Sequence, residues 1–328
     1  MGSAHKAIEY HEQALVIDSE IGDRRGEGAD LGNLGLAYAA LGETRKAIEY
    51  HEQYLNIARE IGDRRGEGNA LGNLGNAYYS LGEMGSAHKA IEYYEQVLVI
   101  MREIGDRRGE GNSLGNLGNA YAALGETRQA IEYYEQVLVI MREIGDRRGE
   151  GNALGNLGIA YADLGETRQA IEIYDQGLKI QREIGDKRAE GAILGNLGLA
   201  YADLGETRKA IEYYEQHAKI AREIGDRRGE GNALGNLGSA YFTLGECKTA
   251  VDYYKKRLAI AQEIEDRGGQ GNVFWGLAIC FEKDNDLRLA IDHAERALEI
   301  FTAIESPSAK TMREMLERWK GSSTDKNG

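Results

Sequence analysis

The sequence predicts an all-α protein, a right-handed superhelical α-solenoid built from stacked helical hairpins. One observation is a phrase, Ile-Gly-Asp-Arg-Arg-Gly-Glu-Gly, that begins at Ile21, Ile61, Ile104, Ile144 and Ile224, with variants at Ile184 and Ile264. A second is that the apolar residues of each period fall at the three- and four-residue steps of a helix. A third is that neither apolar stripe can be buried within one hairpin, so neighbouring hairpins must stack.

Aspartates mark the repeats at Asp23, Asp63, Asp106, Asp146, Asp186, Asp226 and Asp266. The period is 40 residues, with one interval of 43. The repeat array therefore covers 1–305, with full repeats 23–62, 63–105, 106–145, 146–185, 186–225, 226–265 and 266–305. Residues 1–22 are the second helix of a partial repeat, 306–320 a C-terminal capping helix and 321–328 a disordered tail.

Repeat 106–145 shows how each hairpin is built. Its first helix, here called helix A, carries an apolar stripe of Leu114, Leu117, Tyr121 and Leu124. The second, helix B, follows the interruption at Gly125 with Ala130, Ile131, Tyr134, Leu138 and Met141. Asp106 is placed to cap the N-terminus of helix A, and Gly145 to adopt the left-handed conformation that ends helix B.

The two ends and the long interval depart from the regular pattern. Residues 84–93 are identical to residues 1–10, which indicates a tandem duplication. The three extra residues, 84–86, lengthen one turn between helix A and helix B, either as a tolerated loop insertion or with a local change in superhelical pitch. Helix B of the partial repeat lacks its own helix A, so one flank should be incompletely covered. Ser306-Pro307 opens the capping helix.

Composition excludes several classes of protein. The chain has 44 glycines but one proline, and 42% of its residues are hydrophobic, which fits neither collagen nor a disordered linker. Its formal net charge of −14 argues against general binding to nucleic acid or anionic membrane. No stretch of about 18 apolar residues and no apolar signal core are present, so a cytoplasmic location is expected.

The candidate chemical motifs favour structural interpretations. Gly66-Glu67-Gly68 resembles a phosphate-binding loop, but it follows a helix and recurs at the repeat period. His11 and His51 fall in the aromatic position of Tyr134, and Cys280 in the small-residue position of Ala120, so packing explains them. Cys247 begins a helix B but lacks an adjacent thiol or histidine partner. The sequence predicts no enzyme activity, no cofactor and no metal site.

The repeat resembles the tetratricopeptide repeat, whose pattern is W-x2-L-G-x2-Y followed by A-x3-F and P. Leu114-x2-Leu117-Gly118-x2-Tyr121 and Ala130-x3-Tyr134 match this pattern, with Leu in place of Trp and without the final Pro. The longer repeat with Leu-Gly-Asn in helix A is most similar to those of the LGN/Pins adaptors and, more distantly, kinesin light chain. Similar arrays are attached to bacterial signalling ATPases.

The resemblance implies that helix A lines the concave surface and presents one stripe of side chains to a ligand. The expected site consists of two ladders and further asparagines beside them. The arginine ladder is Arg25, Arg65, Arg108, Arg148, Arg188 and Arg228. The asparagine ladder is Asn33, Asn73, Asn116, Asn156, Asn196 and Asn236. The flanking residues are Asn69, Asn76, Asn112, Asn119, Asn152 and Asn232.

These residue types suit a peptide ligand. Asparagine both donates and accepts hydrogen bonds, so a row of them can hold the backbone of a peptide, and arginine can pair with carboxylates. Two other interpretations stay open: Arg108 could pair with Glu110 or Glu103, and Asn116 could bond a neighbouring backbone. Positions that vary between repeats, such as Leu36, Asn76 and Ile159, should tune selectivity.

The resulting hypothesis is a non-enzymatic scaffold that binds an extended or helical, acidic peptide segment of a partner protein. One alternative is the sensing arm of a larger signal-transduction NTPase system. The other is a structural module that self-associates through the N-terminal helix. The lysines of chaperone-binding carboxylate clamps are missing, since their first slot is glycine at Gly72, Gly115 and Gly155. Because this slot holds glycine, we expect Gly115→Leu to weaken ligand binding more than it destabilises the fold.

Overall fold

The computed structural model describes residues 2–83 and 85–324, with only the backbone described for residues 2, 3 and 322–324. The described residues form sixteen α-helices and no strand, in two compact units, 1–166 and 167–328. The first unit contains α1 (Gly2–Ile21), α2 (Arg24–Ala40), α3 (Thr44–Glu60), α4 (Arg64–Leu81), α5 (Ser86–Glu103), α6 (Arg107–Ala123), α7 (Thr127–Glu143) and α8 (Arg147–Asp163). The second contains α9 (Thr167–Ile184), α10 (Lys187–Asp203), α11 (Thr207–Glu223), α12 (Arg227–Thr243), α13 (Cys247–Glu263), α14 (Arg267–Lys283), α15 (Leu287–Ala303) and α16 (Ser308–Thr324).

Within each unit, every helix packs against the next one along the chain, and helices A and B alternate. The predicted fold class, an all-α solenoid of helical hairpins, is confirmed. Leu114 and Leu117 of helix A are at most 1% exposed and lie in the core with Tyr134 of helix B, which is 4% exposed. Tyr121 and Tyr133 stack at 5.3 Å between ring centroids, and equivalent Tyr pairs recur in other hairpins.

The residues predicted to end the helices do so. The side chain of Asp106 accepts a hydrogen bond of 2.8 Å from the Gly109 N–H at the start of α6. Gly145, after α7, has a φ of +69°, in the left-handed region that glycine adopts without steric cost. The sequence repeat thus sets the helix boundaries directly.

The three-residue insertion lies between helices, as its position in the sequence indicates. α4 ends at Leu81 and α5 begins at Ser86. Gly82 and Gly85 have φ angles of +65° and +88°. Met84 lies outside the described residues. The extra length is therefore placed in a turn, where glycine accommodates the left-handed backbone.

The C-terminal helix differs from the prediction at its far end. α16 packs on α15, and its Trp319 stacks on Trp275 at 5.8 Å between ring centroids. The sequence predicts disorder over 321–328, but α16 continues to Thr324, which corrects that boundary; 325–328 lie outside the described residues. Glycine and serine lower helix propensity by only about 0.5–1 kcal/mol each, and an existing helix gains a hydrogen bond with each added residue.

The N-terminal helix is covered on one side only. Ile8 of α1 is buried against Leu34 and Ala37 of α2. Tyr10, Ile17 and Ile21 are 69%, 56% and 70% exposed. None of the described helices combines the length and apolarity that a bilayer span requires.

Candidate functional site

In the first unit, the helices A form a groove of about 660 Å³ that contains many of the predicted ligand-facing residues. The lining contributed by α2, α4 and α6 includes Asn33, Arg65, Asn69, Asn73, Asn76, Arg108, Asn112 and Asn116. Successive members stand three or four residues apart, which keeps them on one face of each helix. The structure therefore brings ladder residues of neighbouring repeats together in one groove, as the ladder pattern requires.

Gly72 lines the floor of this groove, and Gly115 occupies the equivalent position one repeat later, next to the groove residue Asn116. A Cβ built on Gly115 would meet only Val137 Cγ2 at 3.9 Å, and one on Gly72 would meet only Val97 Cγ2 at 3.9 Å. The same position on Gly118 would lie 2.6 Å from the ring of Tyr134. Gly72 and Gly115 are therefore not required for helix packing, and the side chain of helix B beneath each of them comes close to the groove.

Two of the predicted asparagines also have a role inside the fold. Asn76 Oδ1 accepts a hydrogen bond of 2.8 Å from the hydroxyl of Tyr94, and Asn119 Oδ1 accepts one of 2.8 Å from Tyr134. Each pair joins helix A to helix B of the same repeat. The carbonyl oxygens of these two amides are thus partly used by the hairpin itself.

Two arginines of the ladder, Arg65 and Arg108, face the N-terminal caps of the following repeats. Arg108 Nη2 lies 3.1 Å from Asp146 Oδ2, and Arg65 Nη2 lies 3.5 Å from Asp106 Oδ2. The alternative that pairs Arg108 with Glu110 or Glu103 is wrong, because Arg107 makes the ion pair with Glu110 and Arg64 the one with Glu103. Consecutive helical residues point about 100° apart, so these two arginines face different sides of α6. The ladder's positive charge is partly balanced by the caps.

A second set of ion pairs holds the repeats together and was not foreseen from the sequence. Glu110 is 6% exposed and accepts a hydrogen bond of 2.8 Å from Arg102 Nε, in addition to its pair with Arg107. Burial opposes ionisation of Glu110, but the two arginines outweigh it and lower the pKa of this carboxyl. The same arrangement recurs at Glu67 and Glu150. The sequence feature that could have predicted these ion pairs is an Arg eight residues before each of these glutamates.

The second unit has its own groove, of about 620 Å³, lined by residues of α10, α12, α13 and α14. It contains the predicted Asn232 and Asn236, but its other walls are Leu199, Phe242, Trp275 and Ile279. Its floor includes Arg257, a residue of helix B that is 7% exposed. Sequence reasoning missed Arg257 because it considered only helix A as a source of ligand-facing side chains.

The remaining predicted residues lie outside these two grooves. Asn119 and Asn156 line a smaller pocket of about 240 Å³, where Asn156 Nδ2 approaches Asn119 Oδ1 at 3.5 Å. Asn196 is half-buried on α10. The others are exposed on their helices A, namely Arg25, Arg148, Asn152, Arg188 and Arg228.

His51 and both cysteines lie in packing environments, whereas His11 was expected to pack but is partly exposed, with its Nδ1 2.9 Å from Asp30 Oδ1. His51 is 1% exposed, and burial lowers its pKa to about 4. Cys247 and Cys280 are both buried in one apolar cluster, and burial raises the pKa of each thiol, that of Cys280 to about 12. Across the part of the chain that the structure describes, no three His, Cys, Asp or Glu side chains are grouped to hold a metal ion.

The family comparison gives a direct result. The sequence profile of the tetratricopeptide repeat matches residues 1–60, 81–143, 130–183, 149–223, 189–263 and 229–303. A search of curated protein sequences finds no significant match.

Solved structures of the same fold extend the comparison. A signal transduction ATPase with numerous domains (STAND) and a tetratricopeptide repeat sensor, from Pyrococcus horikoshii, is 20% identical with a TM-score of 0.75; the match covers 95% of this chain and 48% of that chain. A Rap protein complexed with Competence and Sporulation Factor is 17% identical with a TM-score of 0.56, covering 99% of both chains. A kinesin-light-chain-type protein of Podospora anserina with nearly identical repeats is 24% identical with a TM-score of 0.51, covering 60% of this chain and 95% of that chain.

Proposed function

The chain belongs to the tetratricopeptide repeat family, and from this premise we propose that it is a non-enzymatic scaffold that binds a peptide segment of a partner protein. The segment, extended or helical, lies in the grooves formed by the helices A. The observation that carries the proposal is the open glycine slot at Gly72, which lines the groove among asparagines of neighbouring repeats and recurs at Gly115 beside Asn116. A peptide backbone can approach a glycine closely because no side chain stands in the way.

The polar groups of the groove fit such a ligand. Asn73 and Asn116 line the same groove one repeat apart and can donate to peptide carbonyls and accept from peptide N–H groups. Arg65 and Arg108 add donors for acidic side chains, although each also faces an aspartate cap. Backbone hydrogen bonds then provide affinity that depends little on the sequence of the peptide.

The comparison with solved structures supports this use of the fold. The Rap protein of the same fold was solved in complex with Competence and Sporulation Factor. A tetratricopeptide repeat array is thus compatible with a bound factor, and the grooves described above are where this chain has room for one.

Gly115→Leu tests the proposal. Peptides selected against the wild-type protein from a displayed random library should bind this variant at least about tenfold more weakly, because one leucine fills the slot over Val137. Its melting temperature should stay within a few degrees, since the added Cβ makes only an ordinary contact. Glu132→Leu adds the same side chain at an exposed site outside the groove and should leave affinity unchanged. Unaltered affinity in Gly115→Leu would overturn the proposal.

A second candidate function is the sensing arm of a signal-transduction NTPase system. It is favoured by the similarity to the STAND sensor, of which this chain covers 48%. An NTPase that co-purifies in equimolar amounts, and whose hydrolysis rate changes when this chain is added, would support this role. A rate that this chain does not alter would count against it.

Self-association through α1 is a third candidate, favoured by the exposure of Tyr10, Ile17 and Ile21. The equivalent of Ile17 in the next repeat, Ile57, is 6% exposed. Tyr10→Ser with Ile17→Ser should convert any concentration-dependent oligomer to monomer, because the variant removes the apolar surface that would be buried. Light scattering over a range of concentrations measures this; a wild type that stays monomeric throughout contradicts it.

A further inference from the structure

The groove of the second unit has a charged floor where the first has an apolar one. Under the glycine slots Gly72 and Gly115 lie Val97 and Val137. The equivalent residue under Gly235 is Arg257, whose Cγ and Nε lie 3.9 and 4.0 Å from a Cβ built on that glycine. Nothing else lies within 4 Å of that position. Only the missing side chain of Gly235 leaves the stem of Arg257 accessible from the groove.

Arg257 is held by hydrogen bonds within the fold, but these do not involve all of its N–H donors. Its Nη2 donates to Asp266 Oδ2 at 2.7 Å and approaches Asn232 Oδ1 at 3.5 Å. Its Nη1 has no hydrogen-bond acceptor among the described residues, although the side chain is only 7% exposed. A guanidinium carries five N–H donors, and a buried donor without an acceptor costs free energy. Nη1 lies against Gly231, where a Cβ would collide with it, whereas the stem atoms Cγ and Nε lie under Gly235. A ligand acceptor that reaches this guanidinium would recover that loss.

Two arginines and one aspartate lie close together at this floor. Burial disfavours the ionised form of Asp266, but the hydrogen bond from Gly269 N–H and the guanidinium groups of Arg257 and Arg228 outweigh it and lower the pKa of this carboxyl. One aspartate therefore faces two arginines. Lys283 adds a further positive charge, since its Nζ lies 4.7 Å from the ring centroid of Phe242, in the groove wall.

Part of the groove wall is apolar, beside the polar side chains of Asn232, Asn236, Ser239, Thr243 and Asn272. Trp275, Phe242 and Ile279 are half-buried and line the groove, and Leu199 is 49% exposed. A charged ligand atom entering here is flanked by low-polarity side chains, where the attraction between opposite charges is screened less than in water. The groove thus combines a cationic floor with a partly apolar wall.

We propose that the second groove accepts a glutamate or aspartate side chain of the bound peptide, which pairs with Arg257, beside an apolar residue that packs on Trp275 and Phe242. This inference rests on the proposed peptide-binding function and adds a selectivity to it. The acid selectivity of the chain is then located at one helix-B residue of the second unit. Arg257 shares its Nη2 with the cap Asp266, as the ladder arginines of the first unit are shared with aspartate caps, but its Nη1 has no acceptor among the described residues.

The test uses pairs of synthetic nine-residue peptides, acetylated and amidated, that are identical except for a central Glu or Gln between leucine and phenylalanine. The other positions are varied across an array of such pairs. Fluorescence anisotropy with the full chain gives the ratio of the Kd values of each pair. For the tightest pairs, the wild type should prefer Glu by about tenfold, the scale of one charge-assisted contact.

Two variants remove the preference in different ways. Arg257→Gln removes the charge and should bring the Gln to Glu ratio of Kd values to about one. Gly235→Leu keeps Arg257 and its pair with Asp266 but covers it from the groove, so it should have the same effect even if Arg257→Gln fails to fold. Gly115→Leu is the matched control: it makes the same change in the same slot above an apolar floor, and should weaken binding of both peptides without changing their ratio.

The outcomes separate the two proposals. Peptides that bind the wild type with no preference for Glu, or a preference that survives in Gly235→Leu, overturn this inference while peptide binding stands. An array in which no peptide binds the wild type overturns both. A Glu preference lost in Gly235→Leu but kept in Gly115→Leu supports the assignment to Arg257.

Discussion

His51 and Tyr134 occupy the same position in two repeats and show what one side chain changes inside a hairpin. Tyr134 is 4% exposed, and its hydroxyl donates to Asn119. His51 is 1% exposed, and its Nδ1 has no hydrogen-bond partner among the described residues. Burial lowers the pKa of His51 to about 4. The imidazole is therefore neutral inside the fold at neutral pH.

We expect His51→Tyr to stabilise the chain, and more so at lower pH. As the pH falls below 6.5, the unfolded chain takes up a proton at His51 while the folded chain does not until about pH 4, so the wild type loses stability across that window. The variant lacks this loss. Its advantage should be about 1 kcal/mol at pH 7.5 and grow by about 2 kcal/mol at pH 4.5.

The tyrosine has a precedent at the same kind of site. Tyr214 is 2% exposed beside Gly198, and His51 lies beside the equivalent Gly35; the residue after each glycine is leucine, Leu199 and Leu36. Thermal unfolding of both proteins at several pH values measures the difference, and taking the difference cancels groups common to both. A difference in stability between the two proteins that is the same at all pH values would contradict the assignment of the titration to His51.

At the scale of the helix, the glycines of helix A differ in what they do. Gly118 makes room for the Tyr134 ring, which would lie 2.6 Å from an added Cβ. Gly115 has open space above Val137. Each glycine within the helix costs about 0.5–1 kcal/mol relative to alanine, whichever its role. Helix A therefore depends on its neighbours for stability, and only some of its glycines serve a ligand.

Helix B contributes to the site as well as to the core. The position beneath the glycine slot is Tyr54 under Gly32, His217 under Gly195 and Arg257 under Gly235. These side chains differ in size, charge and hydrogen bonding while the surrounding apolar positions repeat. Selectivity for the ligand is thus expected to depend on the helix-B side chains beneath the helix-A glycines, in addition to the exposed side chains of helix A.

At the scale of the molecule, each unit is stabilised by contacts between neighbouring helices, so its ends need protection. α16 provides this at the C-terminal end: Met312, Leu316 and Trp319 are buried, whereas Arg313, Glu317 and Lys320 are exposed. In α14, the residues forty positions earlier than these three polar ones are Val273, Leu277 and Cys280, all buried. We expect this polar outer face of α16 to cap the apolar stacking.

We expect Trp319→Ala to loosen the C-terminal end selectively. It removes the stack on Trp275 and leaves a cavity, which costs about 3–5 kcal/mol of local stability. Hydrogen exchange should speed up in α15 and α16 and stay unchanged in α2 to α7, because contacts reach only neighbouring helices. Glu317→Ala, on the exposed face of the same helix, should leave exchange unchanged. A uniform increase along the chain would show that the array unfolds as one cooperative unit instead.

The sequence by itself determines the all-α repeat, the helix boundaries at Asp106 and Gly145, and the family, because the same local signals recur in every period and reinforce one another. It also brings Asn73, Asn116, Arg65 and Arg108 to one face, since helical spacing fixes which side chains share a face. Only the tertiary structure decides the partners of those side chains. The pairing of Arg108 with Asp146, and the exposure of Arg257 through the gap at Gly235, depend on how neighbouring helices pack, and local spacing does not encode that packing.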